Sequence, residues 1–484
     1  MTPPLKRTNT PSRTIAEPQK LSTVASPNEN QDPNSDGSRL FSARNISVGA
    51  ILASSFLNLL SYTLISPITP QLGNHFKLTI GTSFGSLSSA YPFGMLFGLF
   101  LWPQLSDRIG RKPVMTASLF GSGLGLVAQA FVIQRNGSLG LYLAIRALTG
   151  TFAGSSPVSK AYLADIGFRN GMLPRYLALR DAASTMAFII GPLMGGIIYD
   201  IRRRMLGVES TIATTEVLKM AGSLSFVMGV AAATSLTAAL LVGAFVQELA
   251  PKKKKKPKTD EDRASSEKDE EVEEDIIVCP LGKQMWAGVA SVCVVSFLFN
   301  VGDSTFHAFF SALLRERAGL GAQDIGLLYT MLACISFSVS ATSSGGILKR
   351  YGPVAACATG MSLIGSGLLA LGLAASSWVL AIPPTFSVLA ASAAIYYMGV
   401  PIYGPAVPTM LLRCVPSHQR GAIMGLDGAI NTIARVVSPL VMGELYRRYG
   451  AGAAFGCAGV AVLGGVVITL FRRYVVLKDT VYRK

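Results

Sequence analysis

The feature that most constrains this chain is a series of apolar stretches, each about 20 residues or longer, enough for a helix to cross a hydrocarbon layer of about 30 Å. Twelve are predicted, at 48–72, 82–104, 113–133, 138–164, 175–199, 221–247, 285–310, 324–347, 353–375, 383–411, 420–446 and 451–472. Lipid offers no water to satisfy backbone groups, so such segments fold as helices. Half of the 484 residues are hydrophobic and only 14% are charged, less charge than a soluble protein of this size carries. Many of the 49 glycines fall inside the apolar stretches, where small residues let helices approach closely. The expected fold class is an all-α membrane protein with twelve transmembrane helices in two pseudo-symmetric six-helix bundles.

The series reads as six spans, a linker and six more. Residues 1–47 are rich in Ser, Thr, Pro and Asn without apolar periodicity, and are expected to form a disordered cytoplasmic tail. Residues 48–247 make the first bundle, 248–284 a charged cytoplasmic linker, 285–472 the second bundle, and 473–484 a cytoplasmic tail. The linker holds the Lys252 to Lys256 run followed by acidic residues from Asp260 to Asp275, a solvated tether that fixes topology. Arg108, Arg111, Lys112, Arg169, Arg175, Lys349, Arg350, Arg413 and Arg420 fall on the same side as that run, which puts both termini in the cytoplasm. Arg202, Arg203, Arg204, Arg315, Arg317, Arg447 and Arg448 fall on the other side, against the count.

The net charge of +16 comes largely from loops between spans and from the tails, so it signals topology rather than a nucleic-acid partner. The six cysteines, all in the second half, have no spacing that suggests a zinc site or disulfide framework. No phosphate-binding Gly-x-x-x-x-Gly-Lys-Ser/Thr loop occurs. No enzyme activity, cofactor or metal is expected. The expected partners are the bilayer, a small organic substrate and protons, with the chain a monomer in the plasma membrane or an organellar membrane.

Two local matches recur at nearly one offset. Asp107-Arg108-Ile109-Gly110 after the second span echoes Lys349-Arg350-Tyr351-Gly352 after the eighth, and Gly191-Pro192-Leu193-Met194-Gly195-Gly196 in the fifth echoes Ser438-Pro439-Leu440-Val441-Met442-Gly443 in the eleventh. Both motifs occupy the same place in each half, as in a duplicated unit surrounding a cavity at mid-depth.

At Leu105-Ser-Asp-Arg-Ile-Gly-Arg-Lys112-Pro113 the sequence resembles the major facilitator superfamily, and within it the drug–proton antiporters and tetracycline-resistance-like transporters. The resemblance covers all but the tail and the linker. It implies alternating access between the two halves, with a gate and charge relay at Asp107, Arg108, Gly110, Arg111 and Asp165. Asp107 would sit against the amino end of the eleventh helix near Ser417, where the helix dipole is positive. The family's leading glycine is Pro103 here. The fourth span carries Arg146, Gly150 and Gly154 in the family's Arg-x-x-x-Gly pattern, and Gly191, Pro192, Gly195 and Gly196 resemble the antiporter motif of the fifth helix. The resemblance implies that Arg146 serves proton or substrate coupling; the alternative is snorkelling to the outer interface.

Asp303 and His307 are four residues apart in the seventh span and share a face. Either they exchange a proton during transport or they reach outer water. Asp303 also matches an acidic site of tetracycline-resistance-like relatives. In the eleventh span Asp427, Asn431 and Arg435 form a polar stripe ahead of Pro439, with Asp427 either the partner of Arg435 or a residue of the inner mouth. Tyr396, Tyr397 and Tyr403 in the Pro-rich tenth span either line a cavity or pack. Asn58 stands where many drug-exporting relatives carry an acid, and an amide cannot carry a proton. The expected substrate cavity comprises Asn58, Asn431, Arg435, Tyr396 and Tyr403. His75 and His418 are expected in loops. Proton-coupled export of small organic compounds is the expected function; the alternatives are a uniporter or symporter of an organic anion or nutrient, and a non-transporting receptor or scaffold.

Overall fold

The computed structural model describes residues 33–170, 172–206, 213–248, 283–376, 386–415 and 419–475. The Lys252 to Lys256 run, the acidic block to Asp275, Cys279, Ser417, His418, residues 1–32 and residues 476–484 lie outside them. Every described element is helical. In chain order they are α1 (Pro33–Thr63), a 3-10 turn (Ser66–Ile68), α2 (Thr69–His75), α3 (Thr82–Ile109), α4 (Arg111–Gln134), α5 (Leu139–Thr151), α6 (Ser155–Asn170), α7 (Leu173–Met205) and α8 (Ala213–Phe245). After the linker come α9 (Lys283–Ala318), α10 (Ala322–Val339), a π turn (Ser340–Ser344), α11 (Gly345–Ala375), α12 (Phe386–Leu412), α13 (Arg420–Tyr449) and α14 (Ala451–Val475).

Among the described residues, nine helical stretches are long and apolar enough to cross a membrane. One of them, Ala322–Ala375, has 54 residues, enough for two crossings, and its helices part at Gly352 (φ 80°, ψ 170°). The stretches expected at 138–164 and 420–446 are helical too, but α5 and α6 are separated by the turn at Phe152 to Gly154, and α13 carries Asp427, Arg435 and Glu444. Two boundaries differ from expectation. Helix begins at Pro33, ahead of residue 48, because Pro33, Asn34, Ser35 and Asp36 suit a helix start. His75 ends α2 rather than lying in a loop, and its ring meets Phe76 edge-on at 4.9 Å.

The basic residues that ran against the topology count have a local reason to be where they are. Arg202, Arg203 and Arg204 close α7, Arg315 and Arg317 close α9, and Arg447 and Arg448 close α13. Each group sits in the last turn of a helix, where free carbonyls and the dipole favour a cation.

Residues 44–484 form one compact unit. Within it the repeat is legible in the backbone. Gly110 (φ 107°, ψ 161°) breaks α3 from α4 much as Gly352 breaks the helices either side of it, Gly110 three residues before Pro113 and Gly352 directly before Pro353. The paired motifs also make equivalent contacts. In α7, Pro192 O is approached by Gly326 of α10, and Gly196 lies on the backbone of Ala322 and Gln323. In α13, Pro439 O is approached by Gly85 of α3, and Gly443 lies on Gly81 and Thr82. At each crossing a Cβ would strike backbone, so glycine sets how close the helices come.

These crossings lie at one end of the molecule. Hydrogen bonds there join the parts on either side of the linker: Thr82 Oγ1 to Glu444 Oε2 (2.9 Å), Gln323 N to Asp200 Oδ2 (3.2 Å) and Thr330 Oγ1 to Ile189 O (2.6 Å). Phe84 and Phe309 meet across the same seam with ring centres 6.1 Å apart.

Candidate functional site

At the break between α3 and α4, Arg111 bridges two carboxylates. Its Nη2 is 3.3 Å from Asp107 Oδ1 and its Nε donates to Asp165 Oδ2 at 3.2 Å, while Nη1 donates to the Ser106 hydroxyl at 3.2 Å. Asp165, on α6, is largely covered and Asp107 is open to solvent. Arg108 is exposed. The structure therefore brings Asp107, Gly110, Arg111 and Asp165 together and leaves Arg108 outside that network.

Sequence reasoning missed the residue that completes the break. Glu248, taken as the first residue of the linker, accepts from the backbone N–H groups of Arg111 (2.9 Å) and Lys112 (2.9 Å), the opening residues of α4. A carboxylate at the amino end of a helix satisfies orphan donors and meets the positive end of the dipole. Gly110 makes room for it, since a Cβ there would lie 2.8 Å from the Glu248 carboxyl group.

In the fourth span Arg146 is held by neutral groups. Its Nε donates to Leu87 O (2.7 Å), and its Nη1 reaches Tyr142 Oη (3.3 Å) and Gln129 Oε1 (3.4 Å). Gln129 Nε2 in turn donates to Thr149 Oγ1 at 2.9 Å. The contacts tie α5 to α3 and α4. Gly150 abuts Tyr91 O, and Gly154 abuts the Trp102 ring, whose Nε1 donates to Thr151 O at 2.6 Å.

In α9 the predicted pair is present and has a third member. Asp303 Oδ1 lies 3.6 Å from His307 Nε2 and accepts a hydrogen bond from Tyr396 Oη at 2.7 Å. The aspartate side chain is 16% exposed against 40% for the histidine, so the imidazole is the more open member of the pair. Tyr396 is fixed by stacking on Phe306, with ring centres 4.2 Å apart and planes 8° from parallel.

The expected substrate residues separate. Arg435 does not pair with Asp427: its Nε donates to Asn300 Oδ1 of α9 at 2.9 Å, while Asn431 Nδ2 donates to Asp427 Oδ2 at 2.9 Å. Helical spacing explains this, since Asp427 and Asn431 are one turn apart and Asp427 and Arg435 two. The Tyr396 and Tyr403 side chains are buried rather than open to a cavity. Tyr403 stacks on Phe299 with ring centres 3.9 Å apart, because the aromatic faces of α9 and α12 oppose one another.

Asn58 does line a cavity. A partly open space of about 100 Å³ is bounded by Ser54 and Asn58 of α1, Met115 and Leu119 of α4, Ser155, Ser156 and Ser159 of α6, and Arg180 and Ser184 of α7. Asn58 Nδ2 donates to Ser155 Oγ at 3.3 Å. Arg180, absent from the expected sites, has a side chain only 7% exposed. The spacing of Ser155, Ser156 and Ser159 along one span was the available signal.

The chain as a whole matches known transporters. The model of the Major Facilitator Superfamily matches residues 51–383 and again residues 292–481. The sequence is similar to the class C tetracycline resistance protein of Escherichia coli, 24% identical over 87% of this chain and 93% of that protein. It is likewise similar to multidrug resistance protein 1 of Bacillus subtilis, 22% identical over 88% and 96%. The fold is similar to the crystal structure of the human organic anion transporter MFSD10 (TETRAN), with a TM-score of 0.58 and 19% identity over 88% of this chain and 99% of that one. It also resembles a bacterial homolog of the human lysosomal transporter Spinster, at a TM-score of 0.63 and 14% identity over 90% and 96%. With the family matched along nearly its whole length and an all-helical, multi-pass architecture, this chain belongs to the Major Facilitator Superfamily and is an integral membrane transporter.

Proposed function

We propose that this transporter is a proton-coupled antiporter that exports small organic compounds by alternating access, its two halves of six spans rocking about the seam between them. The observation that carries the coupling is the cluster of Asp303, His307 and Tyr396. A carboxylate inside an apolar span is costly unless it exchanges a proton or faces a partner. Here it has a more open imidazole beside it to relay a proton and a phenol that fixes its orientation. Asn58 cannot do this work; Asp303, with the imidazole beside it, is the proton carrier of this reading and Arg146 a fixed cation that biases the pathway.

The break at Gly110 serves as the gate on the opposite face. Arg111 joins the loop acid Asp107 to Asp165 on α6, so a shift of α6 on substrate binding pulls on the α3–α4 break, while Glu248 anchors α4 to the start of the linker. With both termini and the linker in the cytoplasm, the seam through Pro192, Gly196, Gly85 and Pro439 is extracellular or lumenal, and the present conformation is open toward the cytoplasm. The export reading is also supported by the relatives named for tetracycline and multidrug resistance.

A second reading, in which the substrate is an organic anion, is favoured by Arg435, which is exposed within its span and donates to the neutral amide of Asn300, and by the fold's likeness to an organic anion transporter. Proteoliposomes carrying the purified chain test both readings. Counterflow of a substrate from a panel of organic cations, neutral compounds and anions is expected, accelerated by an imposed pH gradient. Asp303→Asn is expected to keep counterflow and lose the acceleration. Acceleration unchanged in Asp303→Asn removes that residue from coupling.

A further inference from the structure

The cavity between α1, α4, α6 and α7 is built around a cation that nothing so far has used. Arg180 lies about two turns inside α7, and its residue is 6% exposed. Its Nη2 donates to Ser156 Oγ at 2.7 Å and reaches Ser156 O at 3.5 Å, and its Nε donates to Ser159 Oγ at 3.3 Å. Nη1 also donates to Asp181 Oδ1 at 3.4 Å, the carboxylate's side chain being 71% exposed. A guanidinium carries five donors in a rigid fork. Here they meet two serine hydroxyls, a carbonyl and one exposed carboxylate, a set that holds the group in place at the cavity wall with a single, long ion pair. Lys160, on α6, lies near enough to interact electrostatically with both Arg180 and Asp181.

The rest of the wall suits an anion as well. Ser54, Ser55, Ser155, Ser156, Ser159 and Ser184 line it with hydroxyl groups; those of Ser54 and Ser159 donate to the carbonyls of Ile51 and Ser156, and a hydroxyl can rotate to turn its proton toward an oxyanion. Asn58 adds an amide. Met115 and Leu119 form an apolar side. A space of about 100 Å³ holds a head group rather than a whole drug-sized molecule, and its open side leaves the remainder of a ligand to extend outward.

We propose that this cavity is an anion subsite on the transport path, in which Arg180 pairs with the carboxylate or sulfonate end of an amphiphilic organic anion while the serine hydroxyls complete its hydrogen bonds and Met115 and Leu119 contact its apolar part. The proposal deepens the second reading above and rests on it for its place in transport. A planar, bidentate acceptor matches the guanidinium fork better than a neutral amide of the same shape. Rearrangement of Ser156 or Asp181 on binding frees the donors that the ligand takes.

The test is equilibrium binding of radiolabelled 2-naphthoate to the purified full-length chain, set against its neutral isostere 2-naphthamide. Wild type is expected to bind the carboxylate at least about tenfold more tightly than the amide, the size expected for one charge-assisted pair. Arg180→Gln is expected to erase that preference and Arg180→Lys to retain part of it. Ser184→Leu, which fills the cavity without touching Arg180, is expected to lose carboxylate binding, and keeps the test valid if Arg180→Gln fails to fold. Equal binding of acid and amide, or a preference unchanged in both Arg180→Gln and Ser184→Leu, overturns the proposal. So does absence of naphthoate binding, or its displacement solely by phosphatidylglycerol and not by free aryl carboxylates or sulfonates, which would make the site a lipid contact. Binding is measured without a gradient, so its failure leaves the counterflow result standing, and failure of counterflow leaves the binding result standing.

Discussion

At Gly110 a single hydrogen side chain meets two demands. Its φ of 107° with ψ of 161° lies where side chains other than glycine are strained by about 1–3 kcal/mol, and the Glu248 carboxylate occupies the space a Cβ would take. Gly110→Ala is therefore expected to lower the thermal midpoint of the detergent-solubilised protein and to reduce transport more than it reduces expression. Glu248→Gln keeps the shape of the cap but removes its charge, and is expected to cost about 0.5–1 kcal/mol of stability. A midpoint equal to wild type in Glu248→Gln would show that the carboxylate contributes no more than its hydrogen bonds. For the relay, Asp165→Asn is expected to slow counterflow by about tenfold or more, since Arg111 then loses its covered partner and keeps the exposed Asp107. The sequence made Asp303 with His307 visible through helical spacing, and Arg111 with Asp165 through the motif and the family resemblance it carries. It did not make Tyr396, Asn300 or Glu248 visible as partners, because each comes from a distant segment and no local pattern encodes that meeting.

At the scale of elements, the helices of this chain are organised by where small residues let them cross. α3 meets α13, and α7 meets α10, through glycines that lie on backbone of the opposite helix. In lipid, where apolar contact with a neighbouring helix replaces equally apolar contact with tails, such close packing is a principal source of association. A larger side chain at one crossing is expected to open the seam without unfolding either half. Gly196→Val should shift the protein toward the state closed at the end opposite the seam, detected as loss of labelling of a cysteine placed at Ser184 by a membrane-impermeant thiol reagent applied from that end. Unchanged labelling would mean that the crossing does not govern the conformational balance. The helices themselves were legible from hydropathy because their length is set by bilayer thickness. Their interruptions were less so: the turn at Phe152 to Gly154 and the π turn at Ser340 to Ser344 fall inside apolar stretches, where hydropathy carries no mark of a break.

At the scale of the whole molecule, the two parts on either side of the linker touch at one end, and the candidate gate, the Arg180 cavity and the start of the linker lie away from that seam. Alternating access requires this asymmetry to reverse, with the ends opposite the seam approaching as the seam parts. If protonation of Asp303 biases the balance, the reversal follows pH. The direct measurement is a pair of spin-label distances in the reconstituted protein, after replacement of the exposed Cys334 and Cys457. One pair joins cysteines introduced at Arg175 and Lys349, and the other joins cysteines introduced at Met205 and Tyr449. As pH is varied, the first distance is expected to shorten while the second lengthens, and Asp303→Asn is expected to hold both fixed. Two distances that move in the same direction, or that follow pH equally in Asp303→Asn, would contradict rocking coupled to that carboxylate.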